Sequence, residues 1–124
     1  MIVEYDDTSS VGQQGYGTVH HVAFRVDDKE DLLDWNTHLR SFNLGTSGHV
    51  ERFYFESLYA GVAPGILFEW ATDGPGFMED EPYERLGEKL SLPPFFEDER
   101  KKIERLVRPI DTVRSTLDIE KEYL

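Results

Sequence analysis

The chain has 124 residues, no cysteine, and 25 acidic against 13 basic side chains, for a formal net charge of −12. That length gives one domain with a small core, for which self-association is a natural expectation. The missing cysteine excludes disulfides and thiolate metal sites, and the charge disfavours nucleic acid and anionic membrane as partners.

A hydrophobic fraction of 39% and an aromatic fraction of 13% describe a folded chain. No run reaches the length of a membrane span. The opening MIVEYDDTSSVGQQ has neither the basic nor the apolar region of a signal peptide. The cytoplasm is therefore the expected compartment.

Residues 1–16 are polar, and only Ile2, Val3 and Tyr5 hint at a leading strand. Thr18 to Val26 alternates. Val22, Phe24 and Val26 point one way, with His20 in phase; His21, Ala23 and Arg25 point the other. Asp27 or Asp28 can cap a helix over 28–42, whose Leu32, Trp35, Leu39 and Phe42 form one apolar stripe. Asn43 and Gly45 end it. TSGHV opens a turn and a short strand near 46–50, RFYFESLYA (Arg52 to Ala60) reads as the next strand, and GVAPG breaks it. ILFEWAT, Ile66 to Thr72, is a clear last strand. The expected order is strand, helix, strand, strand, strand, in a mixed sheet that pairs Thr18–Val26 with Ile66–Thr72. The helix should cover one face.

After DGPGF the chain is charged and reads as helical. MEDEPYERLGEKL gives a short helix. A second starts at Pro93 or Pro94, with Ile103, Leu106 and Val107 inward. Pro109 breaks it, and Ile110, Val113 and Leu117 suggest a last amphipathic helix. The fold class is α+β: a βαβββ module at 17–76 after a lead segment at 1–16, with a C-terminal helical tail at 77–124.

Glu69 carries the chemistry of this reading. A carboxylate inside ILFEWA is costly to bury unless it is paired or bound to a metal. His21 sits on the polar face of the first strand. The two make either an ordinary hydrogen-bonded pair or half of a nitrogen and oxygen metal site of the kind suited to Fe(II), Mn(II), Zn(II) or Ni(II). His38 on the helix and His49 in a turn read as solvated. Phe53, Tyr54, Phe55 and Trp70 can line an aromatic pocket or simply fill the core.

GTVHHVAFRV, FYFESLY and GILFEWATDGPGF together resemble the vicinal oxygen chelate superfamily, which holds the glyoxalases, bleomycin-resistance proteins and extradiol dioxygenases. The nearest resemblance is to its branch of ring-cleaving dioxygenases acting on hydroquinones, and the tail DEPYERLGEKLSLPPFFEDERKKIE resembles that branch's carboxyl terminus. The resemblance implies metal ligation by His21 and Glu69, with Fe(II) the first choice of metal. It places His20 beside substrate or oxygen, and Arg52 and Tyr59 in the substrate shell. On a regular strand Arg52 and Tyr59 fall on opposite faces, so a bulge is needed for both to reach one site. AGVAPG is shorter than the family's segment there, and only one module is present where the family has four. The family's second metal histidine comes from another module.

Three functions follow. The first is a metal-dependent, dioxygenase-like enzyme acting on a small aromatic substrate, with glyoxalase-type lyase chemistry as the second choice of reaction. The second is a non-catalytic module binding an aromatic or drug-like ligand. The third is a partner subunit of a split dioxygenase. A lone module also leaves sheet edges open. The expected assembly is a homodimer that joins two His21–Glu69 pairs across a twofold axis, with one metal per dimer.

Overall fold

The computed structural model describes residues 13–63, 65–113 and 116. The hinted leading strand at Ile2–Tyr5 and the end of the expected last helix at Leu117 lie outside them. The described elements are β1 (His21–Arg25), α1 (Lys29–Ser41), β2 (Thr46–Glu51), β3 (Glu56–Ala63), β4 (Ile66–Ala71) and α2 (Arg100–Leu106), with 3-10 turns at Tyr83–Arg85 and Pro94–Glu99. The chain divides into two compact units: one through Val50 with Ser57–Thr72, the other Glu51–Glu56 with the chain from Asp73 onward.

The first unit is the βαβββ module. Its four strands lie in the order β1-β4-β3-β2. β1 runs parallel to β4, with His21 opposite Leu67 and Ala23 opposite Glu69. β3 runs antiparallel to β4, with Tyr59 opposite Glu69 and Ser57 opposite Ala71; its register shifts between Gly61 and Ala63. The parallel pair forms because α1 carries the chain back across the sheet.

α1 begins where Asp28 Oδ1 accepts from the amides of Glu30 (2.8 Å) and Asp31 (3.1 Å). It ends where Asn43 takes a positive φ of 57°. There the Asn43 amide bonds to the Arg40 carbonyl and the Leu44 amide to that of Leu39, which satisfies carbonyls the helix would otherwise leave unpaired.

The strand alternation sorts the two faces. Leu58, Ala60, Phe68 and Trp70 join Val26, Leu32 and Leu39 in the buried core, with Val22 and Phe24 packed against them. Trp35 and Trp70 stack 5.2 Å apart. The helical stripe is only half covered: Leu32 and Leu39 are buried, whereas Trp35 and Phe42 are exposed. Trp35 and Phe42 instead border an apolar groove of about 520 Å³ with Phe24, Phe68 and Trp70.

Several expectations need correction. Arg52 to Phe55 is not strand: the Arg52 amide donates to the Phe55 carbonyl at 2.9 Å, and Phe53 has φ of 72°. A tight reversal between β2 and β3 overrides the β-propensity of the aromatics. His49 lies on β2 rather than in a turn. Trp70 lines the groove in the first unit, whereas Phe53–Phe55 belong to the second.

In the second unit Tyr54 is buried, and its hydroxyl donates to Asp80 at 2.8 Å. Its ring packs 5.4 Å from Phe77. Burial, then the hydrogen bond to Asp80, raises the Tyr54 hydroxyl pKa above its usual value. The helix expected over MEDEPYERLGEKL shrinks to the 3-10 turn after Pro82, and Gly87, with φ of 75°, cannot continue a right-handed helix. The next helix is split, 3-10 over Pro94–Glu99 and α only from Arg100. Leu106 and Val107 are exposed rather than inward. Ile110 and Val113 are exposed and not helical.

Candidate metal centre

Period-two geometry puts His21, Glu69, Ser57 and Tyr59 on the sheet face opposite the apolar core. Glu69 sits on β4 between the other two strands. Tyr59 stands directly opposite it on β3, while His21 and Ser57 are its diagonal neighbours on β1 and β3, within reach of side chains of this length.

Glu69 is only 4% exposed, and its burial is offset by three donors. Ser57 Oγ donates to Oε1 at 2.7 Å, and the Tyr59 hydroxyl donates to the same oxygen in a short bond. His21 Nε2 lies 2.9 Å from Oε2. A buried carboxylate without such partners would cost several kcal/mol, on the order of 3–5. The Tyr59 backbone is held in turn, its amide donating to Ser47 Oγ at 2.9 Å.

The adjacent histidines divide differently from their sequence phase. His20 precedes β1 and is exposed, so it does not pack with Val22 and Phe24. Its Nδ1 lies 2.9 Å from Nδ1 of His21. The direction of that bond follows the tautomer: where His21 is neutral and donates from Nε2 to Glu69, its Nδ1 accepts from His20 Nδ1–H. In that tautomer His20 Nε2 is an acceptor. The site thus runs from an exposed imidazole to a dry carboxylate.

Of the residues expected at the site, the structure brings together His20, His21, Tyr59 and Glu69. Arg52 lies outside the strands, in the second unit. The irregularity in β3 falls after Gly61, not between Arg52 and Tyr59. Ser57 is the member of the cluster that sequence reasoning misses. The available signal is a small hydroxyl two residues before Tyr59, and so on the same face, in an otherwise apolar strand.

The residues fit a divalent cation. Two neighbouring ligand atoms, each about 2.1 Å from one ion and at right angles, stand about 3.0 Å apart. His21 Nε2 and Glu69 Oε2 are 2.9 Å apart, close to that separation, and are an imidazole nitrogen and a carboxylate oxygen of the kind such ions take. Among the described residues, no group of three or more His, Asp or Glu side chains gathers as a complete ligand set. No helix among them is long and apolar enough to cross a membrane.

A mixed four-stranded sheet with α1 on one face and this polar cluster on the other is the α+β module that the sequence resemblance implies, and comparison with known proteins agrees. No family model matches the chain. It is 50% identical over 98 residues to a Bacillus subtilis (strain 168) protein named "Putative ring-cleaving dioxygenase MhqA", covering 79% of this chain and 31% of that protein. It is 34% identical over 103 residues to the chlorohydroquinone/hydroquinone 1,2-dioxygenase of Sphingobium indicum, covering 78% and 30%. A crystal structure from Bacillus subtilis, described as a "putative dioxygenase", matches with a TM-score of 0.74 and 43% identity, covering 83% of this chain and 34% of that one. Over about four-fifths of its length, therefore, the chain is a relative of proteins named as ring-cleaving dioxygenases. It spans about a third of the length of the curated relatives it matches.

Proposed function

We propose that the chain is a metal-binding module of a ring-cleaving dioxygenase acting on a hydroquinone or related phenol. His21 Nε2 and Glu69 Oε2 hold the cation, and Fe(II) is the first choice. The observation that supports this is the 2.9 Å separation of those two atoms on a buried carboxylate. Bound there, the ion would supply a meeting place for a phenolic oxygen and O₂.

The protein residues would do the rest. His20 Nε2 would take the phenolic proton, and the exposed end of the site would give the ring access. Tyr59 holds Glu69 through its hydroxyl and borders His21, ring centroids 6.3 Å apart.

Two ligands do not complete a site, and the described residues hold no further group of ligands. We favour a homodimer with two His21–Glu69 pairs on one axis. A separate partner chain is the second reading.

Metal quantitation with light scattering separates the two. One metal per dimer supports the shared site; a monomer, or one metal per chain, moves the assignment to the partner. His21→Ala should abolish stoichiometric metal, and His38→Ala should not. Equal retention in both refutes the site. Iron with oxygen uptake on hydroquinone supports the enzyme, whereas aromatic binding without metal supports a binding module.

A further inference from the structure

The two oxygens of Glu69 are not equivalent. A carboxylate oxygen offers about two lone-pair positions, and on Oε1 Ser57 and Tyr59 fill both. Oε2 instead faces His21. Ser57 is itself fully buried, at 0% exposure. A buried hydroxyl is unfavourable unless it is bonded, and an alanine would fill the same place on the strand without that demand. Its hydroxyl acts on one atom, Glu69 Oε1.

We propose that Ser57 is a positioning residue which, with Tyr59, makes Glu69 a one-oxygen ligand. The inference rests on the metal-site reading above. With Oε1 saturated, a divalent cation beside His21 meets Oε2 alone. A carboxylate bound through both oxygens would take two coordination positions; held through one, it leaves a position for a substrate oxygen or O₂. The constraint comes from β3, because Ser57 and Tyr59 approach from the same strand and pin the same oxygen. The ring of Tyr59 and the short side chain of Ser57 leave Glu69 little freedom to rotate.

The test uses the full chain and Zn(II) as probe. Infrared difference spectra, zinc-loaded minus metal-free, report how a carboxylate binds. A wide gap between its antisymmetric and symmetric stretches marks one-oxygen binding, and a narrow gap marks two. Bands that vanish in Glu69→Gln belong to Glu69. Wild type should show the wide gap. Ser57→Ala should narrow it and lower zinc affinity about tenfold, and Ser57→Thr, which keeps the hydroxyl, should restore both. A narrow gap in wild type overturns the proposal whatever the variants do, including any that fail to fold. So does a Ser57→Ala protein that is less stable but keeps the wild-type gap, since that is a structural role alone. Zinc bound by wild type and lost in His21→Ala keeps the metal site standing in either case. Zinc bound equally by both removes the site and this inference with it.

Discussion

The two compact units are held by different forces. The first buries a contiguous apolar cluster from β1, α1, β3 and β4. In the second, Tyr54 is the buried hydrophobic residue among those described; aromatic contacts such as Tyr54–Phe77 and polar ones surround it. Arg100 is representative, donating to the Leu90 carbonyl at 2.9 Å and to both oxygens of Glu97. The contrast also explains where a site can be built. A hydroxyl fixed by a packed strand keeps its place, whereas an exposed ion pair loses strength to solvent and salt.

The comparison breaks most sharply at Leu58, which is fully buried. Leu58→Ala should destabilise the first unit by about 2–5 kcal/mol, read from the denaturant midpoint. A shift near zero would mean the apolar cluster does not hold that unit.

Tyr54→Phe should cost less, about 1 kcal/mol for the lost hydrogen bond. The effect should appear as hydrogen-exchange protection lost around Asp80 and Gly76. Because folding raises the Tyr54 pKa, its contribution is present below the unfolded value near 10 and fades as pH rises past the folded one. Tyrosinate absorbance during an alkaline titration would show it as a late-ionising fraction.

Glu69→Gln should leave the fold nearly intact while weakening metal binding. Its amide oxygen can still accept from Ser57 and Tyr59, and its NH₂ can donate to His21 Nε2 once the imidazole proton shifts to Nδ1. Thermal unfolding paired with zinc titration checks this; a large loss of stability with metal binding retained would reverse the account.

The smallest effect is expected at Arg100. Arg100→Ala should leave the global midpoint unmoved and loosen only α2 and the Leu90 segment. Hydrogen bonding to Arg100 and to Lys102 lowers the pKa values of Glu97 and Glu99 below 4.5. Their contribution is therefore present above that pH and disappears as pH falls through the depressed values. Helicity lost in acid, and lost more readily in salt, would show it.

The first unit was readable because periodicity encodes it. Val22, Phe24 and Val26 against His21, Ala23 and Arg25 set the faces, and the same parity carried His21 to Glu69. Propensity failed where a turn overrode it: Arg52–Phe55 is rich in strand formers yet reverses the chain through a positive φ at Phe53. In the tail, charge at helical spacing resembled helix, but Gly87 and the Pro93–Pro94 pair divide it into short turns. Ser57 escaped because its importance lies in a partner on β4, and a single strand does not name its neighbour's atoms.

The stacked indoles make the protein its own optical gauge. The sequence contains two tryptophans, Trp35 on α1 and Trp70 on β4, and their rings lie 5.2 Å apart at 33°. Rings this close couple electronically, so the circular dichroism of the pair depends on the helix lying on the sheet. The fluorescence of the half-exposed Trp35 and the buried Trp70 should respond to quencher unequally. Both signals report the docking of one helix on one strand, without a label, and no other tryptophan obscures them.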